Sequence, residues 1–81
     1  MKENLSVINK IGDVLSDLAS GDALSLHMHM HELCTRLDGN PIGDDALVLS
    51  RACYLADRIT DADVAAIEAK MEKIREALNG S

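Results

Sequence analysis

The chain has 81 residues with a formal net charge of −6, and 47% of them are hydrophobic. This length predicts a single domain, residues 1–81, and the hydrophobic fraction excludes an intrinsically disordered chain. The acidic balance argues against direct nucleic-acid binding, because neutralising phosphates needs clustered Lys and Arg side chains.

The first predicted helix covers residues 3–19, and Gly21 follows it as a C-terminal stop. Asp13 and Asp17 are four residues apart on its polar side, so we expect both carboxylates to be exposed. The apolar residues follow the i, i+3, i+4, i+7 spacing of an amphipathic helix, and they form the predicted core stripe: Val7, Ile8, Ile11, Val14, Leu15 and Leu18.

The second predicted helix covers residues 23–37, with Asp22 as its N-cap and Gly39 after its last turn. Leu24 and Met28 share a flank of this helix with His31, which suggests a second contact face. The predicted core stripe lies elsewhere on the helix and has Cys34 at its edge: Ala23, Leu26, Met30, Leu33 and Leu37.

A loop is predicted over residues 38–44, because Asn40 and Pro41 form a turn signal. Asp44 or Asp45 is then expected to cap the third helix. Six apolar residues form the predicted core stripe of that helix and extend to its last residue: Val48, Leu49, Ala52, Leu55, Ala56 and Ile59.

Thr60 is predicted to cap the fourth helix, with Asp63 in the position that Glu usually takes in a capping box, and Asn79 and Gly80 end it. Short connections favour antiparallel neighbours. The sequence therefore predicts an all-α fold, a compact bundle of four short amphipathic helices arranged as two helical hairpins. The predicted core stripe of the fourth helix has clean three- and four-residue spacing: Val64, Ile67, Met71, Ile74 and Leu78.

The predicted core contains no aromatic side chain, since Tyr54 is the only aromatic residue and falls outside the core stripe of its helix. A core this thin predicts that the chain either self-associates, for example as a homodimer, or binds another protein. Leu47, Arg51, Tyr54 and Arg58 follow one another at i, i+4, i+7 and i+11, and this set is called the Tyr54 face below. Tyr and Arg dominate binding hot spots, so the Tyr54 face is a candidate protein-binding surface. The alternative is that a neighbouring helix simply covers Tyr54.

Three histidines lie close together on the second helix, where His27 and His31 share a face at i, i+4 and His29 is expected to point towards solvent. Cys34 follows His31 by three residues, so His27, His31 and Cys34 form a candidate three-ligand face for zinc or copper. The competing interpretation is that both histidines pack at the margin of the core with one nitrogen in water. We favour the second interpretation and expect no cofactor.

Acidic residues without a neighbouring base occur between Lys10 and Arg36, among them Asp13, Asp17 and Asp22. An acidic surface of this kind can meet a basic surface on another protein. Its alternative role is to provide solubility and to stabilise helix N-termini.

No catalytic motif is present, and Cys34 and Cys53 have no motif spacing, so we expect a non-enzymatic protein with free buried thiols. The chain has neither a signal-peptide core nor a membrane-spanning run, which predicts a cytoplasmic protein.

In size, acidity and helical content the chain resembles the small proteins of phages and mobile elements that inhibit host machinery, anti-CRISPR proteins among them. This resemblance implies an inhibitor or regulator that binds a host protein and occupies a nucleic-acid-binding site on it. Two alternatives are a metal-binding or metal-sensing helical protein using His27, His31 and Cys34, and a structural homodimeric bundle.

Overall fold

The computed structural model describes residues 2–80, with side chains from residue 4 onward. This part of the chain forms four helices and no strand, which confirms the predicted all-α fold. The helices are α1 (Lys2–Ser20), α2 (Ala23–Leu37), α3 (Pro41–Ala56) and α4 (Asp61–Asn79).

The turn between α1 and α2 follows the sequence prediction. Gly21 adopts a left-handed φ of 74°, and its N–H donates to the carbonyl oxygen of Asp17. Asp22 then caps α2, because its carboxylate accepts hydrogen bonds from both the backbone N–H and the hydroxyl of Ser25. The backbone bond from Ser25 also lowers the pKa of Asp22.

The start of α3 differs from the prediction, because Asn40 and Pro41 begin this helix instead of lying in a loop. The side-chain oxygen of Asn40 accepts the backbone N–H groups of Ile42 and Gly43, so Asn40 is the N-cap. Proline is favoured at the first helical position, where its missing N–H would have no partner in any case. The predicted cap at Asp44 or Asp45 is therefore wrong, since both residues lie inside the helix.

The C-terminal end of α3 also differs, since the helix stops at Ala56 and not at Ile59. Asp57 takes a left-handed conformation, with φ of 52°, and its N–H donates to the carbonyl oxygen of Tyr54. Asp is one of the few residues other than glycine that tolerate this conformation. Thr60 and Asp63 then form the capping box of α4, as predicted.

The helices contact one another in chain order, and α4 returns to contact α1. Two contacts show that α2 and α3 run antiparallel. Cys34, near the end of α2, forms a hydrogen bond with Gly43, near the start of α3. His27, near the start of α2, stacks on Tyr54, near the end of α3. The bundle measures 35 × 21 × 19 Å. Each helix therefore has two helical neighbours, and the outer side of the α2–α3 pair is not covered by α1 or α4.

Aliphatic side chains from all four helices fill the core. The sequence predicted most of the buried residues on α1, α2 and α4. The core cluster consists of Val7, Ile11, Val14, Leu18, Ala23, Leu26, Met30, Leu33, Ala46, Cys53, Ile67, Met71 and Ile74.

The core face of α3 is where the prediction fails. The buried residues of this helix are all small: Gly43, Ala46, Ser50 and Cys53. Among the predicted core residues, Val48 is 68% exposed and Leu55 is 72% exposed, Ala52 and Ala56 are exposed as well, and Leu49 and Ile59 are only half-buried. Small side chains let two helices approach closely, so α3 turns its small face inward and its large apolar residues outward.

Ser50 shows how α3 tolerates a polar residue in the core. Its side chain is fully buried, and its hydroxyl donates to the carbonyl oxygen of Leu47 on the preceding turn at 2.8 Å. This local bond satisfies the hydroxyl without a partner from another helix.

The reversed orientation of α3 is tested by matched substitutions on its two faces. Ala46→Leu should overpack the core and lower the free energy of unfolding by about 1–3 kcal/mol. Val48→Gln and Leu55→Gln should each change it by less than about 0.5 kcal/mol, because both side chains are mostly exposed. Urea denaturation followed by circular dichroism measures all three values. A loss above about 2 kcal/mol in either Gln variant would show that the substituted residue is buried in the core.

Candidate functional site

An open groove runs between α2 and α3, with a volume of about 380 Å³. Two histidines of α2 form one wall, and apolar residues with one arginine on α3 form the other. The residues that line this α2–α3 groove are His27, His31, Leu47, Val48, Arg51, Tyr54 and Leu55.

Tyr54 lines the groove and does not lie in the core. Its ring stacks on the ring of His27, with centroids 5.1 Å apart and planes inclined by 12°, while 43% of the residue remains exposed. The ring of His31 packs edge-to-face against the ring of His27, with centroids 4.6 Å apart. The stacked rings of His27 and Tyr54 therefore join α2 to α3, and the exposed part of Tyr54 is accessible to a ligand.

The surroundings of His27 make its imidazole a weaker base. Its Nδ1 atom is buried and has no hydrogen-bond partner within residues 2–80. Burial lowers the pKa of His27 below its ordinary value of 6.5, and the nearby charges of His31 and Arg51 lower it further. The imidazole is therefore neutral at pH 7, and Arg51 is the fixed positive charge of the groove.

The electrostatics of the groove oppose those of the whole chain. The chain carries a net charge of −6, yet no carboxylate lines the groove. Arg51 is exposed, and none of the ion pairs formed among residues 2–80 includes it. The groove thus carries one fixed positive charge beside apolar side chains, on a molecule whose net charge is negative.

Large apolar side chains are exposed on both sides of the groove. Val48 and Leu55 belong to its α3 wall, and on α2 more than half of Leu24 and of Met28 is exposed. Leu24 and Met28 share one helical face with the groove histidines. The antiparallel register of α2 and α3 places that face level with Arg51 and Leu55. Leu24 and Met28 therefore add exposed apolar surface to α2, and the contact face suggested for them with His31 stays a prediction.

The Tyr54 face is only partly assembled. Leu47, Arg51 and Tyr54 all line the groove. Arg58 does not, because α3 ends at Ala56 and Arg58 belongs to the connection to α4.

Val48 and Leu55 were predicted to lie in the core, although they line the groove. The small residues Gly43, Ala46, Ser50 and Cys53, which share one side of α3, were the pattern that identifies the true core face.

The candidate metal ligands separate into two groups. His27 and His31 are neighbours, but the thiol of Cys34 donates to the carbonyl oxygen of Gly43 at 3.1 Å. Within residues 2–80, no three His, Cys, Asp or Glu side chains are grouped in a way that could hold a metal ion. The structure therefore does not assemble His27, His31 and Cys34 into the candidate three-ligand face.

The acidic residues of α1 do not form the exposed row that the sequence predicted. Asp17 is only 8% exposed, and its carboxylate accepts a hydrogen bond from Nδ1 of His29 at 2.5 Å. His29 was expected to point to solvent, but it joins α2 to α1. Asp13 lies 3.4 Å from Lys10, which also pairs with Glu32 of α2 at 2.5 Å.

Asp22, the third member of the predicted acidic set, is exposed, and its carboxylate caps the N-terminus of α2. The carboxylates predicted to meet a partner thus mainly connect or terminate the helices of this hairpin.

The chain matches no protein-family model, no curated protein and no solved structure. Over residues 2–80, no helix combines the length and the apolar character of a membrane span.

Asp17 should contribute to folding, in contrast to its neighbour Asp13. Asp17→Ala removes a buried carboxylate and leaves the Nδ1–H of His29 without its acceptor, which should cost about 1–2 kcal/mol of unfolding free energy. Asp13→Ala removes only a surface ion pair and should cost less than about 0.5 kcal/mol. Chemical denaturation at pH 7 distinguishes the two variants. Equal stability of both would mean that the Asp17–His29 bond contributes nothing.

His27 should make folding sensitive to mild acid. Its pKa is lower in the folded protein than in the unfolded chain, so the unfolded chain binds more protons once the pH falls below about 6.5. The stability present above this pH should therefore be lost on acidification, since a proton on His27 faces His31 and Arg51. Between pH 7 and pH 5 the wild type should lose more unfolding free energy than His27→Gln. An identical pH dependence in thermal melts of both proteins would disprove this assignment.

Proposed function

We propose that the protein is a non-enzymatic protein-binding module whose contact surface is the α2–α3 groove with the adjoining apolar face of α2. The observation that supports this most strongly is the outward orientation of Val48 and Leu55. These residues leave large apolar side chains exposed beside Tyr54 and Arg51, and tyrosine and arginine are the residue types most often found in binding hot spots.

A bound segment of another protein would remove this apolar surface from water. Exposed apolar surfaces that form a continuous patch mark interaction sites more often than single exposed residues do. The groove also offers polar contacts through Arg51 and His31, and such contacts orient a partner on an otherwise apolar interface. Binding to another protein therefore accounts for the apolar and the polar parts of the site together.

The state of the two thiols supports the non-enzymatic part of the proposal. Burial raises the pKa of Cys34, and the pKa of Cys53 is raised to about 11, first by burial and then by its hydrogen bond to Asp63. Both thiols stay protonated at pH 7, and a protonated thiol is a poor nucleophile and a poor metal ligand. A thiol–imidazole reaction centre at Cys34 and His31 does not fit this chemistry.

A module of this kind would act as an inhibitor or regulator of the protein that it captures. Within this proposal, the acidic residues of α1 are a weaker candidate surface than the groove, because Asp17 is buried and Asp13 is paired with Lys10. The partner is therefore expected to meet α2 and α3 first.

The proposal predicts that groove variants lose a specific partner while they keep their fold. Affinity capture from cells of the source organism should be carried out with the wild type, with the Val48→Gln/Leu55→Gln double variant and with an Ala65→Gln/Ala69→Gln control. The control residues are exposed on α4 and outside the groove. A protein retained by the wild type and the control, but lost from the groove variant, is the expected partner.

The identified partner should then be purified and titrated against each variant by calorimetry. Tyr54→Ala should weaken binding by at least about 30-fold if this ring is a hot spot, while its circular dichroism spectrum stays unchanged. Partners captured equally by all three proteins, or a full affinity of Tyr54→Ala, would contradict the assignment of the surface.

A further inference from the structure

We propose that the α2–α3 groove takes an amphipathic helix of its partner, and that this helix places a carboxylate side chain on Arg51. This inference rests on the proposed function and names the chemistry of the partner. The occupant is a segment of another protein, with apolar residues on one face and an Asp or Glu beside them.

The shape of the groove favours a helix as the occupant. The lining residues of α3 run from Leu47 to Leu55, which is about 12 Å along a helix that rises 1.5 Å per residue. Residues of two antiparallel helices form the walls, so a third helix can rest its side-chain ridges in the channel between them. Val48, Tyr54 and Leu55 supply apolar contacts along this length, which suit anchors spaced i, i+3, i+4 and i+7 on the ligand.

The charge of the groove selects the polar part of the occupant. Arg51 lines the groove together with apolar side chains and two histidines, and it is not paired with any carboxylate within residues 2–80. Burying an unpaired guanidinium under a wholly apolar ligand would be costly, whereas a carboxylate can accept two parallel hydrogen bonds from it. A lysine-bearing helix would meet the like charge of Arg51 and be disfavoured.

A second copy of the chain is a poorer occupant. Two copies each carry a net charge of −6 and repel one another at long range. A symmetric contact through this groove would also place Arg51 opposite the Arg51 of the other copy or its near neighbours. The absence of a lining carboxylate means that neither groove could neutralise the other.

The test uses two 16-residue model helices with the same leucine pattern in a neutral glutamine background, one carrying a single central Glu and the other a single central Lys. Fluorescence anisotropy with the intact protein measures both affinities, and backbone amide NMR shifts locate the contact. The Glu peptide should bind about tenfold more tightly, which reflects a specific charge contact. The net charge of the protein favours the Lys peptide instead, so the expected preference cannot arise from general attraction.

Arg51→Glu should reverse this preference, while Lys73→Glu should keep it. Lys73→Glu makes the same change in net charge at an exposed position of α4, away from the groove. Amide shifts should concentrate on the lining residues of α2 and α3 and spare α4.

Equal binding of the Glu and Lys peptides, or no binding by either, overturns the inference. If the partner captured from cells still depends on Val48 and Leu55, the proposed function survives that failure. A dimer in sedimentation velocity that Arg51→Glu or Leu55→Gln dissociates would show that a second copy occupies the groove, and this result also overturns the inference.

Discussion

The close approach of α3 to the bundle is the constraint on which the surface of this protein depends. The inward face of α3 consists of Gly43, Ala46, Ser50 and Cys53, and these residues bring the helix backbone close to its neighbours. The bulky aliphatic residues of the other three helices can fill a core of that width. A helix that presents small residues to the core must carry its large ones elsewhere, so the apolar outer surface of α3 follows from the packing of the interior.

This packing also explains where the single aromatic ring lies. Tyr54 is at the border between the small inward face of α3 and its apolar outer face, where His27 of α2 covers one side of the ring. The ring therefore stabilises the contact between two helices and contributes to a groove at the same time. Arg51 is about one turn away from Tyr54 on the same helix and lines the same groove.

Local rules of the sequence were sufficient for most of the architecture. The bounds of α2, the cap at Asp22 and the capping box at Thr60 depend on residues next to one another in the chain, and each was predictable. The orientation of α3 was not, because hydrophobic periodicity gives weight to large side chains and little to Ala, Ser and Gly. In the folded bundle the small residues of α3 are buried, and large residues such as Val48 and Leu55 are exposed.

The candidate site was predictable to the extent that it depends on one helix. Leu47, Arg51 and Tyr54 share a face of α3 by simple helical spacing, and they line the groove. The opposite wall, formed by His27 and His31, depends on the register between α2 and α3, which no local pattern specifies. The bond between Asp17 and His29 likewise joins residues twelve positions apart on two helices, so helical spacing alone placed both side chains in solvent.

The opposite signs of the groove and of the whole molecule have a consequence for the kinetics of encounter. Under the proposed binding mode, a partner helix with a net negative charge would be repelled at long range by the net charge of −6. Within about 8 Å, the Debye length at physiological ionic strength, screening is weak. At this distance the attraction between a carboxylate and Arg51 outweighs the repulsion from more distant charges. Moderate salt then screens the distant repulsion more than the close attraction. Productive collisions would become more frequent as salt is added, which is the reverse of ordinary electrostatic steering, and an arriving helix would be oriented only in the last steps of its approach.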